Sequence, residues 1–240
     1  MKAVILAGGT GSRLRPLTGL MNKHMLPVGK YPMIYYAIER LKEAGIEQIL
    51  LITGRASAGL FIQYLGSGSD FGVSITYRIQ EEAGGIAEAL MLAKPYVKDG
   101  EKFVMLLGDN LFEESLGSHA SVFEDQPGGA MVLLKQVHDP ERYGIPVFND
   151  SGQITSIEEK PSEPRSNYCV TGIYFYDSYV FSLIDKLTPS ERGELEITDL
   201  NNVYAEAGLL TYRKMSGWWT DAGTFGSLYE AAGRMQEEDE

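Results

Sequence analysis

The chain is short of cysteine, histidine, positive charge and long apolar runs, and each shortage removes a class of protein. One cysteine, Cys169, in 240 residues cannot close an internal disulfide, which fits a reducing compartment; a cytoplasmic protein is expected. Flanked by Tyr168 and Val170, that thiol reads as a small buried hydrophobe rather than a nucleophile. The three histidines, His24, His119 and His138, show no zinc-ligand spacing. No glycine-framed serine and no cysteine–histidine arrangement supports covalent catalysis. Lys and Arg number 21 against 33 Asp and Glu, a net charge of −12. That balance argues against nucleic acid, whose phosphates demand a cationic surface. No uncharged apolar stretch reaches the roughly 18 residues of a membrane span, and the first residues lack a signal-peptide layout.

What is present is concentrated near the start. Ala3–Ala7 is a short apolar run of strand length. It breaks into Gly8-Gly9-Thr10-Gly11-Ser12-Arg13-Leu14-Arg15. Glycines allow positive φ and bring bare N–H groups close to a ligand; with arginines inside, such a loop suits a polyphosphate. Two common phosphate loops are excluded. No Lys-Ser/Thr pair follows Gly11, as a Walker loop requires. A dinucleotide fingerprint starting at Gly9 would have Leu14 at its third glycine and no acidic residue near Met25–Val28. An acidic enzyme for anionic substrates must gather its cations locally, and Arg13, Arg15 and Lys23 are such a group.

Downstream, the pattern alternates. Met33–Ala44 has helical spacing and stops at Gly45. Gln48–Thr53, Val73–Gln80, Phe103–Leu107, Ala130–Val137 and Tyr168–Tyr176 read as strands, with Ile154–Ile157 a further strand between the last two. Leu60–Leu65, Ile86–Ala93 and Phe225–Gln236 read as helices, and Gln236–Glu240 as a solvated acidic tail. No linker or repeat intervenes, so residues 1–240 are expected to form a single α/β domain: one doubly wound, mostly parallel sheet with flanking helices. Ligands of such sheets collect at the carboxyl ends of strands, where the Gly8 loop and Asp109 both fall. Asp109, in Leu106-Leu107-Gly108-Asp109-Asn110, can bind a divalent metal or cap the next turn. Asp221, before Gly223, can do the same or cap the helix from Phe225. His24 adds a switchable positive charge beside Lys23 or sits on the surface.

The pattern Leu-Ala-Gly-Gly-x-Gly-x-Arg-Leu, with Lys23 and Pro27 beyond it, resembles the sugar-1-phosphate nucleotidyltransferases. Asn22-Lys23-His24-Met25-Leu26-Pro27 and Pro32-Met33-Ile34-Tyr35-Tyr36 resemble, within that group, the glucose-1-phosphate thymidylyltransferases. So do Glu158-Glu159-Lys160-Pro161, Tyr143-Gly144 and Asn167–Tyr176. The resemblance implies transfer of dTMP from dTTP to glucose 1-phosphate with Mg²⁺, by direct attack on the α-phosphorus, giving dTDP-glucose for polysaccharide precursors of the rhamnose type. Asp109 and Asp221 would hold the metal. Arg13 would balance the leaving phosphates, Lys23 the α-phosphate, and Lys160 the sugar phosphate. Leu6, Gly8, Gly9, Gly11, Gln80, Gly85 and Asp109 would bind nucleotide; Gly144, Glu159, Val170 and Tyr174 would line the hexose pocket. Around the base this chain reads Glu81-Glu82-Ala83-Gly84-Gly85 where the family has a proline after its glutamine. At Asp221 it has Thr220 and Ala222 where the family reads Leu-Asp-Thr-Gly-Thr. Many members continue beyond the last helix into a segment that helps build a regulatory nucleotide site, so a short form without the full feedback apparatus is expected, with homo-oligomerisation open. Two other readings stay open: the same reaction with UTP, since one methyl is worth only roughly 1–3 kcal/mol, and a non-catalytic sugar-nucleotide sensor. Mannose or galactose 1-phosphate differ from glucose 1-phosphate by one hydroxyl and remain open too.

Overall fold

The computed structural model describes residues 1–82 and 84–238. Its strands are β1 (Lys2–Ala7), β2 (Pro27–Val28), β3 (Tyr31–Pro32), β4 (Gln48–Gly54), β5 (Ser74–Gln80), β6 (Lys102–Leu107), β7 (Asn110–Phe112), β8 (Ala130–Gln136), β9 (Gly144–Phe148), β10 (Ile154–Glu159), β11 (Tyr168–Asp177), β12 (Leu210–Lys214) and β13 (Trp219–Asp221). Its helices are α1 (Met33–Glu43), α2 (Ala58–Leu65), α3 (Ile86–Met91), α4 (Gly117–Asp125), α5 (Val180–Ile184), α6 (Ile197–Glu206) and α7 (Phe225–Glu238). Helices flank a mostly parallel sheet, the α/β class expected. No helix among the described residues is long and apolar enough to cross a membrane.

The chain divides into two compact units. The first takes the described residues between 2 and 83, 106 and 118, and 217 and 240. Here β1, β4 and β5 pair in parallel, Ala3 opposite Ile49 and Gln48 opposite Ser74, with the end of β6 beside β1. Ala3 to Ala7 and Ile49 to Ile52 are all buried, as strands covered on both faces must be. Each fully buried Val, Leu or Ile there contributes about 1.5–3 kcal/mol. Helix α1 buries Met33, Ile34, Ala37, Ile38 and Leu41, one stripe at helical spacing. It ends where Ile46 N donates to Leu41 O at 2.9 Å and Gly45 N to Lys42 O at 2.8 Å. The strands open into the Gly8, Gly54, Glu81 and Gly108 loops, all at carboxyl ends.

The second unit takes residue 1, residues 84–105 and residues 119–216. Its strands run in the order β12-β8-β11, followed by the start of β6. Strands β8 and β12 are parallel, but β8 and β11 are antiparallel. The chain reaches β11 through the β9–β10 ribbon instead of a crossover helix, so it returns in the opposite sense. Ile154–Ile157 belongs to that separate two-stranded ribbon. The β11 ladder breaks between Val170 and Tyr174 while β8 advances only from Leu134 to Val132. Thr171 Oγ1 donates to the stranded Leu133 carbonyl at 3.0 Å, which satisfies a group that the bulge would otherwise orphan. Cys169 is buried, as expected. Of the acidic run read as a tail, the backbone of Gln236–Glu238 continues α7, a correction; Asp239 and Glu240 lie outside the described residues.

Candidate active site

In the first unit the glycine loop is shaped by what its glycines lack. Gly11 has φ +63°, and a Cβ on it would strike Thr18 Cγ2 at 2.8 Å and Lys23 Cβ at 3.1 Å. Thr18 Oγ1 donates to Gly11 O at 2.7 Å, folding the following turn back over the loop. A Cβ on Gly8 would lie 2.7 Å from Gln80 Oε1, and one on Gly9 would lie 3.7 Å from Lys23 Cε. Gly8, Gly9, Gly11, Gln80 and Lys23 thus come together. Leu6, buried at the end of β1, accepts from Gly108 N at 3.0 Å through its carbonyl. A pocket of about 650 Å³ opens here, lined by Gly8, Gly9, Asn22, Arg55, Leu60 and Gln80 among others.

Lys23 Nζ forms an ion pair with Asp109 Oδ2. Asn110 Nδ2 donates to Asp109 Oδ1 at 3.1 Å. Burial alone would raise the Asp109 carboxyl, but Lys23 beside it and the two hydrogen bonds hold it well below the usual carboxylate range. Asn22 organises the approach: its Nδ2 donates to Ala7 O at 3.0 Å and to Ser57 Oγ at 3.2 Å, and its Oδ1 accepts from His24 N at 2.9 Å. His24 is a correction. It is neither on the surface nor a switchable charge: only 2% exposed, it packs where Gly108 has no side chain, 2.9 Å from the position of a Cβ there. Burial foremost, then Lys23, lowers its pKa to about 3, so the imidazole is neutral at neutral pH.

Asp221 pairs with Asn110 in the β13–β7 ladder, and Ala222 N donates to Asp109 O at 2.9 Å. The backbones of the two aspartates are therefore neighbours. A Cβ on Gly223 would meet Arg13 Nη2 at 2.8 Å and Asp221 Oδ2 at 3.5 Å, so both side chains border the space that the glycine leaves open. The cap of α7 is made by Thr224 and Ser227, with Ser227 N donating to Thr224 Oγ1 at 3.2 Å and Thr224 N to Ser227 Oγ at 3.1 Å. Capping is thus supplied without Asp221. Among the described residues no three His, Cys, Asp or Glu gather into a closed metal cage. Two carboxylates suit a hard cation that keeps positions for phosphate and water oxygens, which fits Mg²⁺. Trp219 Nε1 donates to Asn110 Oδ1 at 2.8 Å, bracing the same corner.

In the second unit Gly144 faces Glu159 across the β9–β10 ladder. A Cβ on Gly144 would lie 3.4 Å from Glu159 Oε2 and 3.8 Å from Thr198 Oγ1. Thr198 Oγ1 donates to Glu159 Oε2 at 2.8 Å, and Lys160 Nζ to Glu159 Oε1 at 2.9 Å. Lys160 is the one non-glycine with positive φ (+46°) among the described residues, a strained conformation for a long side chain. Its N–H donates to Tyr143 O at 3.0 Å, tying it to the Tyr143-Gly144 turn. Val170 is half-buried on β11, on the near side of the bulge. Tyr174, beyond the bulge, is buried with its ring stacked on Tyr176 at 6.1 Å. Gly85 precedes α3 with φ +101°. Thr198 and Arg55 had no part in the sequence reading, and Asn22 entered it only within the Asn22–Pro27 motif, with no role of its own. Thr198 carries no local signal, whereas Asn22 immediately precedes Lys23.

Residues 2–238 match the family model described as nucleotidyl transferase. A glucose-1-phosphate thymidylyltransferase of Neisseria meningitidis serogroup A is 44% identical over 239 residues, which is 98% of this chain and 83% of that protein. A crystal structure of a candidate glucose-1-phosphate thymidylyltransferase from Bacillus anthracis, in complex with sucrose, superposes with a TM-score of 0.94 at 54% identity, over 99% of this chain and 96% of that one. A UDP-glucose pyrophosphorylase crystallised with UDP-glucose shares the fold, with a TM-score of 0.87 at 24% identity over 99% of this chain and 98% of that one. With these matches spanning almost its whole length, the chain belongs to the nucleotidyl transferase family, among the glucose-1-phosphate thymidylyltransferases.

Proposed function

We propose that the chain transfers the thymidylyl group of dTTP to glucose 1-phosphate, releasing pyrophosphate and forming dTDP-glucose. The observation that carries this reading is the Lys23–Asp109 pair set against the glycine loop, with Asp221 one strand away. The names of relatives at 44% identity support it, whereas the uridylyl relative shares the fold alone. Mg²⁺, held by Asp109 and Asp221, would supply charge neutralisation on the triphosphate oxygens. The backbone from Leu6 to Gly11 cradles the nucleotide. Lys23 offers a compact charge to the α-phosphate, and Arg13 a planar fork to the departing β and γ phosphates. Gln80 presents both a donor and an acceptor to a pyrimidine edge, and Gly85 leaves a flat surface for the base.

For the second substrate, Glu159 accepts from sugar hydroxyls, Gly144 leaves room for the ring, Val170 and Tyr174 wall it, and Lys160 takes its phosphate. A phosphate oxygen of the sugar phosphate attacks the α-phosphorus, and the bond to the β-phosphate oxygen breaks. The attacking oxygen is already ionised, so positioning and charge suffice without a general base. Mixing dTTP and UTP in equal amounts with glucose 1-phosphate and Mg²⁺, and weighing the products by mass spectrometry, tests the proposal. A predominance of dTDP-hexose is expected; a predominance of UDP-hexose would overturn the nucleotide assignment.

A further inference from the structure

We infer that Leu195–Thr198 is a strap that couples the base subsite to the sugar subsite within the second unit, so that occupying one favours the other. The inference rests on the proposed roles of Gly85 and Glu159. At its first end, both backbone groups of Leu195 are engaged: its N–H donates to Gly84 O at 2.8 Å, and its carbonyl accepts from Ala87 N at 3.1 Å. Gly85 lies inside this clasp. A Cβ on it would sit 2.5 Å from Leu195 O and 3.1 Å from Glu194 Cβ, so the strap fixes how far Gly85 can move.

The other end reaches the sugar side. Three residues on, in the first turn of α6, buried Thr198 donates to Glu159 Oε2 at 2.8 Å. Between them, Glu196 Oε1 accepts from Ser190 Oγ at 2.9 Å and from Arg192 Nη2 at 2.8 Å, which stiffens the preceding loop. Further along α6, Asn202 clamps β10: Ile157 N donates to its Oδ1 at 2.6 Å, and its Nδ2 donates to Ile157 O at 3.1 Å. Helix α6 therefore carries the strap at its start and the strand of Glu159 on its side. A base settling on Gly85 moves or freezes Leu195, and the first turn of α6 passes the constraint to the carboxylate. Such coupling is reciprocal by thermodynamic necessity.

The test is calorimetric titration of the whole protein with the non-reacting α,β-methylene analogue of dTTP, with and without saturating glucose 1-phosphate. Glucose 1-phosphate should tighten the analogue about five-fold or more in the wild type. Thr198→Val, which deletes the donor, should bring that factor close to one while leaving the affinity for the analogue alone unchanged; Thr198→Ser, which keeps the hydroxyl, should preserve it. Absence of tightening in the wild type, or tightening that survives Thr198→Val and so stems from the ligands themselves, would overturn the strap. Glu159→Gln separates this failure from a deeper one. If that variant weakens glucose 1-phosphate while coupling is absent, only the strap is wrong; if it leaves glucose 1-phosphate unaffected, the sugar subsite is misassigned.

Discussion

The two units solve the problem of holding charge in opposite ways. In the first, Lys23 and Asp109 are buried against each other, their side chains 15% and 10% exposed, at the mouths of parallel strands. In the second, Glu159 and Lys160 are 40% and 53% exposed and owe their order to a helix 39 to 45 residues away in sequence. Buried charge is strongly felt and costly to disturb; exposed charge is screened and worth little by itself. The difference matches the proposed chemistry. Developing charge on phosphorus needs fixed counter-charges, whereas sugar recognition needs oriented acceptors.

Four changes break or sharpen this contrast, in descending size. Asp109→Asn should cost at least the roughly 10²–10³-fold in kcat typical of a lost electrostatic group, with the circular dichroism spectrum retained; near-normal Mg²⁺-dependent turnover would dissolve the contrast. Glu159→Gln should raise the KM for glucose 1-phosphate by roughly 10–150-fold, the worth of hydrogen bonds to a charged group, while the KM for dTTP stays put. Gln80→Ala should do the converse through a lost buried hydrogen bond, roughly 1–3 kcal/mol on dTTP alone. Equal effects on both substrates would show that Gln80 and Glu159 do not divide the labour.

The smallest effect at neutral pH belongs to His24. Its folded pKa of about 3 lies below the ordinary 6.5, so the unfolded chain binds a proton that the folded one refuses. Stability is therefore complete above about pH 6.5 and falls on acidification, by up to about 1.4 kcal/mol per pH unit. Asp109, whose folded pKa is also depressed, adds its own loss only as pH falls below its ordinary 3.8. Urea midpoints at pH 7 and pH 5 should converge for His24→Gln and separate for the wild type. Parallel shifts in the two proteins would contradict the buried, neutral histidine.

The same contrast explains what could be read from the sequence. Strand β1, the glycine loop, Lys23 and helix α1 are local patterns, and the fold places them as expected. Asp109 at the end of a buried apolar run was equally legible. The second unit was less so. Helix α6 has buried Thr198 and Asn201 on its inner face, so its apolar periodicity is broken by polar groups whose partners, Glu159 and Tyr176, lie far away in the chain. The antiparallel β11 and its bulge depend on the β9–β10 ribbon, of which only the Ile154–Ile157 strand had a short-range signal; its pairing with β9 had none. His24 misled for a related reason: a histidine beside a lysine looks solvated until Gly108, more than 80 residues on, supplies the space to bury it.

The most direct test of the central claim is pyrophosphate release from the wild-type protein with Mg²⁺, comparing dTTP, UTP, CTP, ATP and GTP with and without glucose 1-phosphate. The account predicts release that requires the sugar phosphate and is fastest with dTTP. Release that ignores the sugar phosphate, or silence with every nucleotide from a folded protein, would contradict it.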